Sequence, residues 1–204
     1  MDREEVIHDL VKEKYAQVAE GDGGGCMPSC CGGTPSLIAI QDLGKSLDYT
    51  EEDLLLAPGE ANLGLGCGNP IGMAGLEPGE TVLDLGSGAG FDAFLAARRV
   101  GPSGRVIGVD MTPEMVQKAR ANAQKLEMTQ VEFRLGPIEK LPVSDGSVDV
   151  VISNCVINLS PDKPSVFREM HRCLRPGGRI LISDVLRSGD IPDEQKDDPA
   201  AYTA

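Results

Sequence analysis

Tryptophan is absent from these 204 residues, and aromatic side chains make up only 3% of them. A core must therefore be aliphatic, built from Leu, Val, Ile and Ala, for which the 41% apolar content is enough. No run approaches the ~18 consecutive apolar residues of a membrane span, so no membrane association is expected. The N-terminus, MDREEVIHDL, lacks both a basic leader and an apolar stretch and does not read as a signal peptide. The default location is the cytoplasm. Positive charge is scarce too: 19 Lys and Arg face 32 Asp and Glu, for a formal net charge of −13. Such a surface repels phosphate backbones and argues against a nucleic-acid partner.

The length suits one domain with an extension, since compact domains commonly run ~100–150 residues. Residues 3–20 read as a helix with an apolar stripe through Val6, Ile7, Leu10, Val11 and Val18. A loop rich in Gly, Cys, Pro and Ser follows, GCMPSCCGGTPS. A short helix is expected near 50–56, then a second glycine-rich loop, ANLGLGCGNP. From residue 81 strands and helices alternate. TVLDLG, RVIGVD, VEFRLG, SVDVVISN and RILISDVL read as five strands, with FDAFLAARRV, TPEMVQKARANAQKL and PSVFREMHRCL as helices. The last helix is expected to stop at Pro176-Gly177-Gly178. This alternation predicts an α/β fold with a parallel sheet covered by helices on both faces. The division expected is 1–75, a helix and Cys/Gly-rich loops, and 76–204, a Rossmann-like domain. Ligands of such sheets bind at the carboxyl ends of the strands, where the strand order reverses.

The first strand runs into Asp84-Leu85-Gly86-Ser87-Gly88-Ala89-Gly90, and the second ends in Asp110. Glycines after a buried strand let the backbone turn tightly and approach a ligand closely. A carboxylate at the end of the second strand can accept both ribose hydroxyls of an adenosine cofactor. The spacing is G-x-G-x-G, unlike the dinucleotide G-x-G-x-x-G, and no Lys-Ser/Thr pair makes it a P-loop. DLGSGAG with VIGVD resembles the donor-binding motifs of class I S-adenosylmethionine methyltransferases, over residues 81–185. The resemblance implies that Gly86, Ser87 and Gly88 line the methionine part of S-adenosylmethionine, that Asp110 holds its ribose and that Met111 packs on adenine. Gly136 and Ile138 would flank the adenine edge, where relatives often carry an acidic residue at the position of Pro137. Asp84 and Asn154 complete the expected donor site.

Six cysteines in a chain expected in the cytoplasm are expected to be thiols and are read first for metal, metalloid or redox chemistry. Cys173, between Met170 and Leu174, reads as a small core residue. Cys26, Cys30 and Cys31 lack the paired C-x-x-C knuckles of common zinc sites. Cys67 stands in a glycine loop, and Cys155 directly follows the fourth strand, beside the expected donor pocket. Soft thiolates select soft ions. Trivalent arsenic held by three sulfurs keeps a lone pair that can attack a sulfonium methyl without a general base. That suits a chain with only two histidines, His8 and His171. SNCVINLSPDK, NLGLGCGNP and VIGVDMTPEMV closely resemble the arsenite methyltransferases, over roughly residues 45–186. The resemblance implies arsenite as substrate, with Cys67, Cys155 and a third thiol from Cys30 or Cys31 as its ligands and catalytic groups. It also implies an external thiol reductant, such as glutathione or thioredoxin, and a detoxifying role. Two departures stand out: no fourth cysteine follows the fifth strand, and no sixth or seventh strand is evident before Ala204, which would leave strand five as an edge. The donor motifs alone also fit an organic methyl acceptor or a non-catalytic arsenic-binding protein, and the cysteines alone a redox-sensing module.

Overall fold

The computed structural model describes residues 2–21, 37–56, 61–186, 189 and 198–202. The elements in chain order are α1 (Arg3–Glu20), α2 (Leu37–Ser46), α3 (Glu51–Leu56), α4 (Pro70–Met73), β1 (Thr81–Leu85), α5 (Phe91–Val100), β2 (Arg105–Asp110), α6 (Pro113–Lys125), β3 (Val131–Leu135), β4 (Val148–Asn154), α7 (Lys163–Cys173) and β5 (Leu174–Ser183). Single 3-10 turns lie at Ile157–Leu159 and Pro199–Tyr202.

The five strands form one parallel sheet in the order β3-β2-β1-β4-β5. All five strand expectations and the helices on both faces are met. Each central strand sends alternate side chains to opposite faces. Val82, Val106, Val150 and Ile152 pack with Ala93, Phe94, Val116 and Ala119 of α5 and α6. Leu83, Leu85, Ile107, Val109 and Val151 pack on the other face with Val166, Met170 and Cys173 of α7. Burial on both faces explains why these strands read as near-continuous apolar runs. Cys173 is the buried core residue that the sequence suggests.

Three details depart from the sequence reading. Helix α2 follows the Gly/Cys/Pro loop, where no helix is expected. The 3-10 turn after β4 is likewise unforeseen. Helix α7 stops at Cys173, and β5 begins at Leu174, so Pro176-Gly177-Gly178 lies inside the strand and not beyond a helix end. The register between β4 and β5 shifts there, between Val148 and Val150. A proline and a left-handed Gly177 (φ 84°) are tolerated at such an irregularity on an edge strand.

Strand β5 is the edge of the sheet among the described residues, with Ile180 and Ile182 partly open to solvent. Arg179 anchors it inward. Its guanidinium donates to both oxygens of Glu80 at 2.6 and 2.8 Å and to the carbonyls of Ala74 and Gly75 at 2.9 and 2.8 Å. The chain entering β1 is thereby tied to the far edge. Helix α1 lies against α6, where Lys118 Nζ donates to the Ala19 carbonyl at 3.0 Å, and buries Ile7 and Val11. No helix among the described residues is long and apolar enough to cross a membrane.

Gly108 in β2 leaves room for Phe133 and Ser87: a Cβ there would meet the Phe133 ring at 2.5 Å and Ser87 Oγ at 2.7 Å. Gly108→Ala should therefore cost about 1–3 kcal/mol, the usual range for overpacking. Urea unfolding monitored by circular dichroism measures it, and an unchanged midpoint would show that the ring yields freely.

Candidate active site

The strand order reverses between β1 and β4, and a cleft opens at their carboxyl ends. β1 residue Leu85 pairs with Val109 of β2 and Ser153 of β4, so the residues following all three strands emerge side by side. The turn after β1 carries Gly86, Gly88 and Gly90 at φ 62°, 50° and 98°, the left-handed region that glycine enters without strain. A Cβ on Gly86 would strike the Val156 side chain, whereas Gly88 faces open space. Ser87 N–H donates to the Val109 carbonyl at 3.1 Å and Gly88 N–H to Asp110 Oδ2 at 2.9 Å. Asp110 Oδ1 accepts from Thr112 N–H at 2.9 Å. The second-strand carboxylate thus pins both flanking turns and still borders the cleft.

The cleft is lined by Asp84, Gly86, Ser87, Gly88, Asp110, Met111, Ile138, Asn154 and Cys155 from the Rossmann-like part. His8, Val11, Tyr15, Tyr49 and residues 61–66 close it from the N-terminal side. Gly136 is not among the lining residues. Its N–H is spent on the Asp110 carbonyl at 2.9 Å, and its Cα abuts Pro142. An acid does reach this part of the cleft, two residues beyond Pro137. Glu139 Oε1 contacts His8 Nε2 at 3.2 Å and Ser160 Oγ, while its buried Oε2 has no partner.

Asp84 is 2% exposed, and one of its carboxylate oxygens has no hydrogen-bond partner. Burial, then the nearby Asp92 and Asp110, hold its pKa well above the ordinary carboxylate range. Ser87 Oγ is buried and unpartnered as well. Unsatisfied buried polar atoms are costly and rare, and here they border a cavity. The set suits a ligand that brings a cation and further donors to this end.

Cys67 and Cys155 meet at the other side of the cleft. They are joined by a disulfide, with their Cα atoms 5.8 Å apart. The expectation of six thiols is corrected for this pair: the Cys67 loop lies on the end of β4, where its N–H donates to Asn154 Oδ1 at 3.0 Å, and so meets a residue 88 positions away in sequence. Cys26, Cys30 and Cys31 lie outside the described residues. Cys155 itself adopts φ 53°, uncommon for a non-glycine residue, and donates its N–H to the Ser183 carbonyl at 2.8 Å. Asp184 secures the following turn by accepting from Ile157 N–H, Asn158 N–H and Asn158 Nδ2 at 3.0, 3.2 and 2.7 Å.

Sequence reasoning missed Tyr49 and Asp92. Asp92, at the start of α5, is buried and has its pKa raised by that burial; the Tyr49 phenol reaches it at 2.6 Å. The one available signal was an acid placed one residue after the phenylalanine that opens an otherwise apolar helix turn. Tyr49 stands in a linker with no motif of its own.

Comparison with known proteins follows this geometry. A methyltransferase-domain family pattern matches residues 76–204. An arsenite methyltransferase of Halobacterium salinarum is 50% identical over 98% of this chain and 52% of that protein. An arsenite methyltransferase of Aquipseudomonas alcaligenes is 37% identical over 96% of this chain and 56% of its own length. Among solved structures, an arsenic(III) S-adenosylmethionine methyltransferase from Chlamydomonas reinhardtii superposes with a TM-score of 0.62 at 38% identity, covering 83% of this chain and 55% of that one. The chain spans about half the length of these relatives. With the pattern covering most of its length, and the sheet order and strand-end cleft in agreement, the chain belongs to the methyltransferase-domain family.

Proposed function

We propose that this chain binds S-adenosylmethionine in the strand-end cleft and transfers its methyl group to thiol-bound trivalent arsenic. The observation that carries the reading is the meeting of Cys67 and Cys155 at the rim of a cleft whose floor is built from Gly86, Ser87, Gly88 and Asp110. The relatives named for arsenite support the choice of acceptor.

The residues fit the donor. The unpartnered oxygen of Asp84 and Ser87 Oγ match the ammonium and carboxylate of its methionine part. Asp110 suits the ribose hydroxyls, and Met111 and Ile138 offer apolar walls for adenine. When bound, the donor would supply an electrophilic sulfonium methyl; attack of the arsenic lone pair on that carbon would form the As–C bond as the S–CH3 bond breaks and the neutral thioether S-adenosylhomocysteine leaves, with no proton to move. The protein's task is then alignment and exclusion of water. Residues 61–66, Tyr49 and helix α1 cover the cleft for that purpose.

The disulfide is the oxidised form of the arsenic-binding pair. Two glutathione thiols, or a thioredoxin, reduce it to two cysteine thiols as the reductant closes its own disulfide. A cytoplasmic setting maintains that poise. The freed sulfurs then bind one arsenic, with Cys30 or Cys31 as the third ligand. A methyl acceptor of organic chemistry would leave the paired sulfurs beside the cleft without a role.

Incubation with S-adenosylmethionine, arsenite and excess glutathione should yield methylated arsenicals, measured by chromatographic speciation. Cys155→Ser should abolish product while leaving donor binding intact; a normal methylation rate in that variant would remove Cys155 from the site. Asp110→Ala should weaken donor binding roughly 10- to 100-fold, the worth of hydrogen bonds to a charged group, with little change in arsenite binding by calorimetry.

The raised Asp84 pKa sets a pH dependence. A carboxyl raised in the folded state stabilises the empty protein below its unfolded pKa, and that contribution is lost as pH rises through the folded value. A bound ammonium favours the ionised form. Donor binding should therefore tighten as pH rises through the raised pKa and should release a proton there. Asp84→Asn should flatten that profile in calorimetry repeated across buffers, and a profile unchanged by the substitution would detach Asp84 from the donor.

A further inference from the structure

Asn154 lines the cleft, but its polar atoms are committed elsewhere. Its Oδ1 accepts the Cys67 N–H at 3.0 Å. Its Nδ2 donates to the Gly68 carbonyl at 2.8 Å and to Asp92 Oδ2 at 2.9 Å. A carboxamide has two donor hydrogens, and three acceptors share them, the third being the Tyr49 hydroxyl oxygen at 3.2 Å. The side chain therefore clasps the Cys67–Gly68 backbone from both sides, as a neighbouring strand's peptide group would. Asp92 in turn accepts the Tyr49 hydroxyl at 2.6 Å, and that hydroxyl lies 3.0 Å from the Gly68 carbonyl.

The glycines flanking Cys67 make this clasp possible. A Cβ on Gly66 would meet Asn154 Nδ2 at 2.7 Å, and one on Gly68 would collide with the Ser183 side chain. The G-C-G sequence lets the loop lie directly on the ends of β4 and β5. Asn154 immediately precedes Cys155, so the residue that fixes one sulfur's loop is covalently next to the other sulfur.

We infer that Asn154, braced by Asp92 and Tyr49, is the positioning residue that sets the separation of Cys67 and Cys155, and so governs both their disulfide equilibrium and their joint grip on one soft ion. The identity of that ion rests on the arsenic reading; the control of the sulfur pair does not. Disulfides form only where Cα atoms lie within about 4.4–6.8 Å, and the observed 5.8 Å leaves little room for the loop to drift outward. Asn154 lines the cleft but spends its amide on the acceptor side of it.

The test is a redox titration of the full chain in glutathione buffers, with the Cys67–Cys155 cross-linked fraction read by differential alkylation and peptide mass spectrometry. The exchange is balanced: protein disulfide and two glutathiones give protein dithiol and glutathione disulfide. Asn154→Ala should lower the equilibrium constant for forming the protein disulfide about tenfold, equivalent to about 30 mV for this two-electron couple. Tyr49→Phe keeps the ring on Phe91 and removes only the hydroxyl; it should shift the constant the same way by about threefold, and it decides the matter if Asn154→Ala does not fold. Asn158→Ala, which breaks an amide contact to Asp184 on the next turn, should leave the constant within twofold. Arsenite affinity of reduced Asn154→Ala should fall about tenfold or more while S-adenosylmethionine affinity stays within threefold. Equal shifts in all three variants would reduce Asn154 to general structural support. An unchanged constant together with lost donor affinity would return it to the donor site. Failure of the reduced wild-type chain to bind arsenite would overturn the arsenic reading, while the titration would still judge the clasp.

Discussion

Parallel pairing of β1 with β4 is the constraint on which the rest of the site depends. Leu85 opposite Ser153 fixes where both chains leave the sheet. The glycine turn departs from β1, and Asn154 and Cys155 depart from β4, a few ångströms apart in one plane. A slip of one residue would turn every side chain of β4 to the opposite face. It would send Val150 and Ile152 away from α5 and would carry Asn154 off the Cys67 loop. Aliphatic burial on both faces of the central strands forbids that slip. The same packing that stabilises the sheet therefore holds the glycine turn and the Asn154–Cys155 end of β4 in register.

Three aspartates border the resulting cleft, and their surroundings divide their roles. Asp110 accepts two backbone N–H bonds, which tie the turns after β1 and β2 together. Asp92 is met by a phenol and a carboxamide, which tie α5 to β4 and to the Cys67 loop. Asp84 keeps one oxygen without a partner. Burial among other acids raises the pKa of such a carboxyl, and a nearby cation favours its ionised form. The first two acids organise the protein, and the third is available for a ligand. The cleft is thereby polarised, with a cation-seeking floor beside β1 and a sulfur pair at the rim beside β4.

The N-terminal segment completes this arrangement without belonging to the sheet. Helix α1 lies over α6 and meets Glu139 through His8, so one wall of the cleft comes from residues far from the glycine turn in sequence. Tyr49 enters from the linker between α2 and α3 and touches the network that holds Cys67. The cleft's cover and one sulfur of the Cys67–Cys155 pair thus come from residues before β1.

Elements that repeat a local rule are legible in the amino-acid sequence. Five apolar runs flanked by helical patterns specify a parallel sheet, and a glycine cluster followed by a second-strand acid specifies a turn and a carboxylate at the strand ends. These signals are short in range, because periodicity and backbone freedom act within a few residues. The end of α7 departs from the local pattern for the opposite reason: Pro176-Gly177-Gly178 has the composition of a helix stop, but pairing with β4 draws it into an irregular edge strand. Tertiary contacts alone pair Cys67 with Cys155, set the Gly136 N–H on the Asp110 carbonyl and spend the Asn154 amide on the Cys67 loop. Each of those depends on residues tens of positions apart meeting at the end of a sheet, and no local pattern encodes which side chains will meet there.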